Sequence, residues 1–111
     1  MRIGELDRRV TFQRAQETMN DLNEPELSWS DLATVWARRR DLSDGEKEAA
    51  GQLGALLISR FVVRSTAVTR ALVPADRLSH EGRFWSIKGI KEADMGRNRY
   101  IEITGATDLD V

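Results

Sequence analysis

The stretch that most constrains the fold is residues 74–104, where extended runs alternate with turn signals. Residues 76–80 and 83–90 are separated only by Glu81-Gly82, which is hairpin spacing. After a polar loop at 92–98, a third run at 99–104 alternates so that Ile101 and Ile103 share one face. Period two is the spacing at which side chains return to the same side of a strand. A three-stranded antiparallel meander is predicted, entered through a type I turn at Val73-Pro74-Ala75-Asp76, where proline presets the backbone.

The chain before the meander supplies its partners. Residues 1–6 read as an arm, because Gly4 interrupts any regular pattern. Over residues 7–14, Val10 and Phe12 alternate with polar side chains and predict a half-buried strand. Residues 15–26 are polar, carry Asn20-Asp21 and Asn23-Glu24-Pro25, and read as a loop or a long hairpin connection. Alternation returns at Leu27-Ser28-Trp29, and a short turn at Ser30-Asp31 gives way to a strand over 32–38. There Val35 and Ala37 take one face and Trp36 and Arg38 the other, with the Arg38 stem expected to cover Trp36.

Ser43-Asp44-Gly45-Glu46 fits a capping box, so a helix is predicted over 44–53. Its apolar face is only Ala49, Ala50 and Leu53, too thin to hold a helix without a surface beneath it. Gly54 breaks the run, and the branched and aromatic residues beyond it predict a strand over 56–64. Residues 65–70 read as a polar turn region and 106–111 as a short acidic tail. About six strands and one short helix point to a mainly β fold. The expected form is a small antiparallel β-barrel with an inserted loop or short helix, one domain over residues 1–111, since closure hides the edges of so small a sheet.

Composition narrows the chemistry. Seventeen Lys and Arg against eighteen Asp and Glu leave a net charge of -1, with no overall field to draw the chain onto nucleic acid or an anionic membrane. No window reaches the roughly 20 apolar residues of a membrane span, and the first residues lack the apolar core of a secretory signal. A folded domain outside the membrane and not exported is expected. With no cysteine and His80 as the single histidine, a transition-metal site is not expected, and no calcium loop occurs. His80 could serve catalysis only with a serine and an acid converging on its ring, and neighbouring Ser79 points to the opposite face of a strand. Gly82, Gly89 and Gly96 read as turn, bulge and loop glycines rather than a phosphate loop. Neither an enzyme nor a cofactor is expected.

One basic run stands out. Arg38, Arg39 and Arg40 follow Trp36, an arrangement that on a small barrel could bind single-stranded nucleic acid through phosphate contacts and base stacking. The plainer reading is a charged strand end paired with Asp41 and Asp44. Trp29, Trp36 and Trp85 read as core or interface residues, and three tryptophans in so short a chain suggest a buried subunit contact.

Five segments in order carry a resemblance: residues 1–14, residues 29–37 (Trp-Ser-Asp-Leu-Ala-Thr-Val-Trp-Ala), Leu42-Ser43-Asp44-Gly45-Glu46, Phe61-Val62-Val63-Arg64, and Pro74-Ala75-Asp76-Arg77-Leu78 with residues 81–87. Together they resemble the head-tail joining proteins of long-tailed bacteriophages, also called head-closure or stopper proteins, with related copies in prophages and gene transfer agents. The chain departs from that pattern after Arg64, where the family often runs into an aromatic and a short proline-bearing turn.

The resemblance implies a small β-barrel with an inserted segment, here about residues 42–57, assembled as a ring of roughly six or twelve copies. Such a ring lies in the particle neck between the adaptor under the portal and the tail terminator, after assembly in the bacterial cytoplasm. It closes the channel once DNA is packaged and opens to let double-stranded DNA pass. Within the insert, Ser43, Asp44, Glu46, Lys47, Glu48 and Gln52 would keep a gate wettable, and Leu53, Leu56 and Leu57 give it an apolar side. A weakly self-packed segment suits a part that must change arrangement, and near-neutral charge suits a conduit through which DNA slides. Ile3, Leu6, Trp29, Trp36, Arg38, Arg39 and Arg40 are the candidate subunit or partner interface.

Overall fold

A computed structural model describes residues 3–49, 56–93 and 99–108. Six antiparallel strands close into a barrel in the order β1-β2-β3-β6-β5-β4. They are β1 (Arg8–Met19), β2 (Pro25–Asp41), β3 (Leu56–Arg64), β4 (Arg77–His80), β5 (Arg83–Glu92) and β6 (Tyr100–Asp108), with helices α1 (Asp44–Ala49) and α2 (Ala67–Arg70) between them. The mainly β barrel expected from the alternation pattern is the observed fold.

The core forms where the inward faces meet. Val10 and Phe12 from β1, Phe61 and Val63 from β3, Leu78, Trp85 and Ile103 are all essentially inaccessible, and Ile87 and Ile101 complete the wall around them. Burying each large apolar side chain contributes about 1.5–3 kcal/mol, so this cluster is the main stabilising element. Phe61 meets Trp85 edge to face at 5.3 Å, the orientation ring quadrupoles favour. Gly105 lets β6 pass close over this cluster, since an added Cβ there would lie 3.3 Å from the buried Phe61 ring, a tight contact. At the β4–β5 turn, Gly82 takes a positive φ of 75° that suits glycine.

Several expectations change in three dimensions. The first strand does not stop near Arg14: β1 continues to Met19 and pairs with Pro25–Asp31 of β2, so residues 15–26 are mostly hairpin. The turn expected at Ser30-Asp31 is a bulge instead, with register slipping between Phe12 and Gln13 so that Leu32 is the extra residue. A second bulge, at Lys88 beside Gly89, lets β5 bend around β6. The polar turn region after Arg64 holds helix α2, whose Thr66 hydroxyl accepts from the Thr69 amide while the Thr69 hydroxyl receives the Thr66 amide. The acidic tail is shorter than expected, since residues 105–108 extend β6 and pair with Leu56–Ser59. The arm is seated: Ile3–Glu5 form a 3-10 turn and Leu6 is only 7% exposed.

Antiparallel closure sorts the connections to two ends. One end gathers the start of β1, the end of β2, the start of β3, the β4–β5 turn and the end of β6. The other carries the β1–β2 hairpin, α2 with its flanking turns, and the β5–β6 connection.

Candidate functional site

The inserted segment leaves the barrel at the first of these ends. The Leu42 amide donates to the Ile58 carbonyl at 2.8 Å, which extends β2–β3 pairing to the segment's root. The capping box forms as the sequence predicts. The Glu46 amide donates to Ser43 Oγ and the Ser43 amide to Glu46 Oε1, each at 3.2 Å. The Arg40 guanidinium grips the same carboxylate at 3.2 Å. With the Arg40 hydrogen bond first and the Ser43 amide second, the Glu46 carboxyl is lowered to about 2 from its ordinary 4.5. Lys47 donates to the Leu56 carbonyl at 3.3 Å and pairs with Asp44, which ties the helix back to the start of β3. Leu56 and Leu57 belong to β3, and Leu57 packs against the core. The part of the insert outside the ladder therefore ends before Leu56. Gln52 and Leu53 lie outside the described residues, as does the Glu48 side chain.

Beneath the insert a polar network closes the barrel end. Strand alternation carries Arg39 to the same side as buried Ala37, where it lies 5.1 Å from the Trp85 ring. It bonds Asp41 and Glu81, each at 2.8 Å. Burial raises the energy of the Asp41 charge, yet hydrogen bonds from Arg39 and Ser59 hold its carboxyl below the ordinary value. Glu81 is lowered first by His80, then by Arg39 and Arg8. His80 is buried, with Nδ1 2.8 Å from the Arg9 carbonyl and Nε2 3.3 Å from Arg39. Every ring nitrogen thus has a structural partner.

The expected interface residues do not gather in one place. Leu6 and Trp36 come together in a predominantly apolar surface groove of about 750 Å³ that Arg9, Val35, Arg64 and Thr66 also line. Trp36 is 52% exposed and is covered by Arg9 at 4.5 Å, not by Arg38 as expected, because Arg9 is its cross-strand partner. Trp29 instead stacks on Arg77, which lies 4.1 Å from its ring and 3.6 Å from that of Phe84. Arg39 is in the barrel-end network, Arg40 is held by Glu46, and Arg38 remains exposed. The acids paired with this basic run are Asp41, Glu46 and Glu81, whereas Asp44 pairs with Lys47. Ile3 lies in the 3-10 turn, its side chain outside the described residues.

Sequence reasoning passed over one surface. Among the described residues the β1–β2 hairpin beyond Gln13 has no third strand beside it, and it ends with Met19, Leu22 and Leu27 between 59% and 77% exposed. The signal that could have found it is charge: five acids and no Lys or Arg lie between Arg14 and Arg38.

Among solved structures, the solution structure of protein SF1141 from Shigella flexneri 2a matches with a TM-score of 0.72 and 24% identity, over 100% of both chains. A chain of the virion of a native gene transfer agent particle matches with a TM-score of 0.66 and 23% identity, over 95% of this chain and 96% of that one. Likeness at these identities is likeness of fold. No curated protein matches the sequence. The phage head completion protein model, however, matches residues 1–107. The chain therefore belongs to the phage head completion proteins, a structural family of the virion.

Proposed function

We propose that the chain is a connector subunit that forms a ring in the particle neck, below the portal and its adaptor. The ring closes the DNA channel and presents the surface to which the tail terminator binds. Double-stranded DNA is a passing occupant, and no membrane or cofactor takes part. The observation that carries this reading is the insert. In a member of the head completion family, a segment springs from one barrel end, and among its described residues before β3 the side-chain ties to the barrel are charge-assisted bonds from Arg40 and Lys47. Such bonds exchange readily for bonds to water or to a neighbour, whereas the barrel beneath keeps its ladder.

Ser43, Asp44, Glu46, Lys47, Glu48, Gln52 and Leu53 form the gating segment, with Leu56 and Leu57 as its anchor in β3. Deleting residues 45–53 should leave a barrel with an unchanged strand spectrum and yield particles that leak DNA or lack tails. Intact, tailed particles from the deletion would overturn the gating role.

A further inference from the structure

We infer that the β1–β2 hairpin tip of one copy docks into the Leu6–Trp36 groove of the next, so that copies meet head to tail. This rests on the ring reading and supplies the contact that reading lacks. The tip exposes Met19, Leu22 and Leu27 and carries Glu17, Asp21, Glu24 and Glu26. None of those four acids makes an ion pair among the described residues. The groove offers the opposite chemistry. Its floor is apolar, and its one acid, Asp7, is paired with Arg8 at 3.9 Å. Its Arg9 and Arg64 have no carboxylate partner among the described residues, which leaves the lining with two uncompensated cations. An apolar anchor ringed by complementary charge is the usual anatomy of a specific contact.

The hairpin's own groove is out of reach. From Gln13 to Met19 the ladder projects roughly 20 Å at about 3.4 Å per residue. Its root is braced: Arg14 grips the buried Asp76 through two bonds of 2.9 Å, and Arg77 is held between Trp29 and Phe84 while donating to Gln13. The groove is lined by Thr34, Val35 and Trp36 at that same root, so a stiff ladder cannot fold its tip back into it. A second copy can bring its tip there. Two different patches of one chain meeting in this way make a heterologous contact, which closes into a ring when the rotation per subunit closes.

The absence of cysteine makes the test clean. Leu22→Cys and Thr34→Cys, both at exposed positions, are combined in one chain, incorporated into particles, and linked with a short bis-maleimide. A ladder of species beyond the dimer is expected from the double variant and monomer from each single variant. Dimer alone would indicate a two-fold contact and overturn the head-to-tail arrangement. Linkage to another particle protein would overturn the choice of occupant. Monomer from the bis-maleimide together with a glutaraldehyde ladder from the same particles would sink the hairpin contact and leave the ring standing. Monomer from both reagents would sink the ring itself.

A charge swap gives a second route. Glu17→Arg with Glu26→Arg, or Arg9→Glu with Arg64→Glu, should each lower completed particles about tenfold or more. Combining all four should restore them, and folded protein that fails to restore them would overturn the proposal.

Discussion

Two parts of this molecule project from the same barrel and are held in opposite ways. The β1–β2 hairpin is a continuous ladder whose root is locked by a buried carboxylate and a stacked guanidinium. The insert after Asp41 is held by half-exposed charged groups, chiefly Glu46 between Arg40 and Ser43. Buried, bidentate bonds leave an unpaired charge when broken, so the hairpin is fixed in direction. Bonds between partly exposed charged groups, such as those at the insert, are replaced by water at little cost, which is what the proposed gating role needs. One barrel thus carries a braced hairpin at one end and, at the other, a segment whose described residues are held by partly exposed charged contacts, as the proposed gate requires.

The comparison breaks most completely if the shared support is removed. Phe61 is fully buried against Trp85 and packs beside Gly105, and Phe61→Ala should cost about 3–5 kcal/mol in a denaturant titration, loosening both projections together. Loss confined to one projection would show that the two do not depend on a common core. Next in size is Asp76→Ala. The Asp76 side chain is 1% exposed and satisfies both Arg14 and the Val73 amide. Because Arg14 is partly solvated, the lower half of the about 1–3 kcal/mol range for an unsatisfied group applies. Hydrogen exchange should quicken at residues 14–19 and stay unchanged at 43–47. Equal quickening at both would erase the distinction.

What the sequence disclosed follows from where burial imposes a period. Residues 56–64 were legible to the residue because branched and aromatic side chains crowd a strand with partners on both sides. The meander was legible for the same reason. The distal hairpin was not, since both its faces are exposed and no inward period marks it. The end of β6 was read as tail because Gly105 and Ala106 look featureless until Phe61 is placed against them. At the candidate site the capping box was readable, being local to residues 43–46. Arg40 as its clamp and Arg9 over Trp36 were not, because a cross-strand or cross-loop partner depends on register that no single segment specifies.

The smallest effect concerns Glu46 and separates the two projections by pH. Its carboxyl titrates near 2 in the folded chain against an ordinary value of 4.5, so the charged form is the one the fold favours. The contribution is therefore complete above about 4.5 and drains away as pH falls toward 2, with no change between neutrality and pH 6. Protection of the Glu46 and Lys47 amides, which donate to Ser43, should fall over that acid window. Glu46→Gln keeps the shape of the capping contact but removes the charge that Arg40 holds. Its amides should be less protected at neutral pH and lose little more through the window. Asp76 shares the direction of shift, its carboxyl lowered by Arg14 and the Val73 amide against the opposing effect of burial, so the hairpin root also responds to acid. The two are told apart by the variant: in Glu46→Gln the hairpin's acid response persists while the insert's is gone. A Glu46 carboxyl resonance titrating near 4.5 would show that Arg40 does not grip the insert, and the contrast between the proposed gate and the braced hairpin would lose its electrostatic basis.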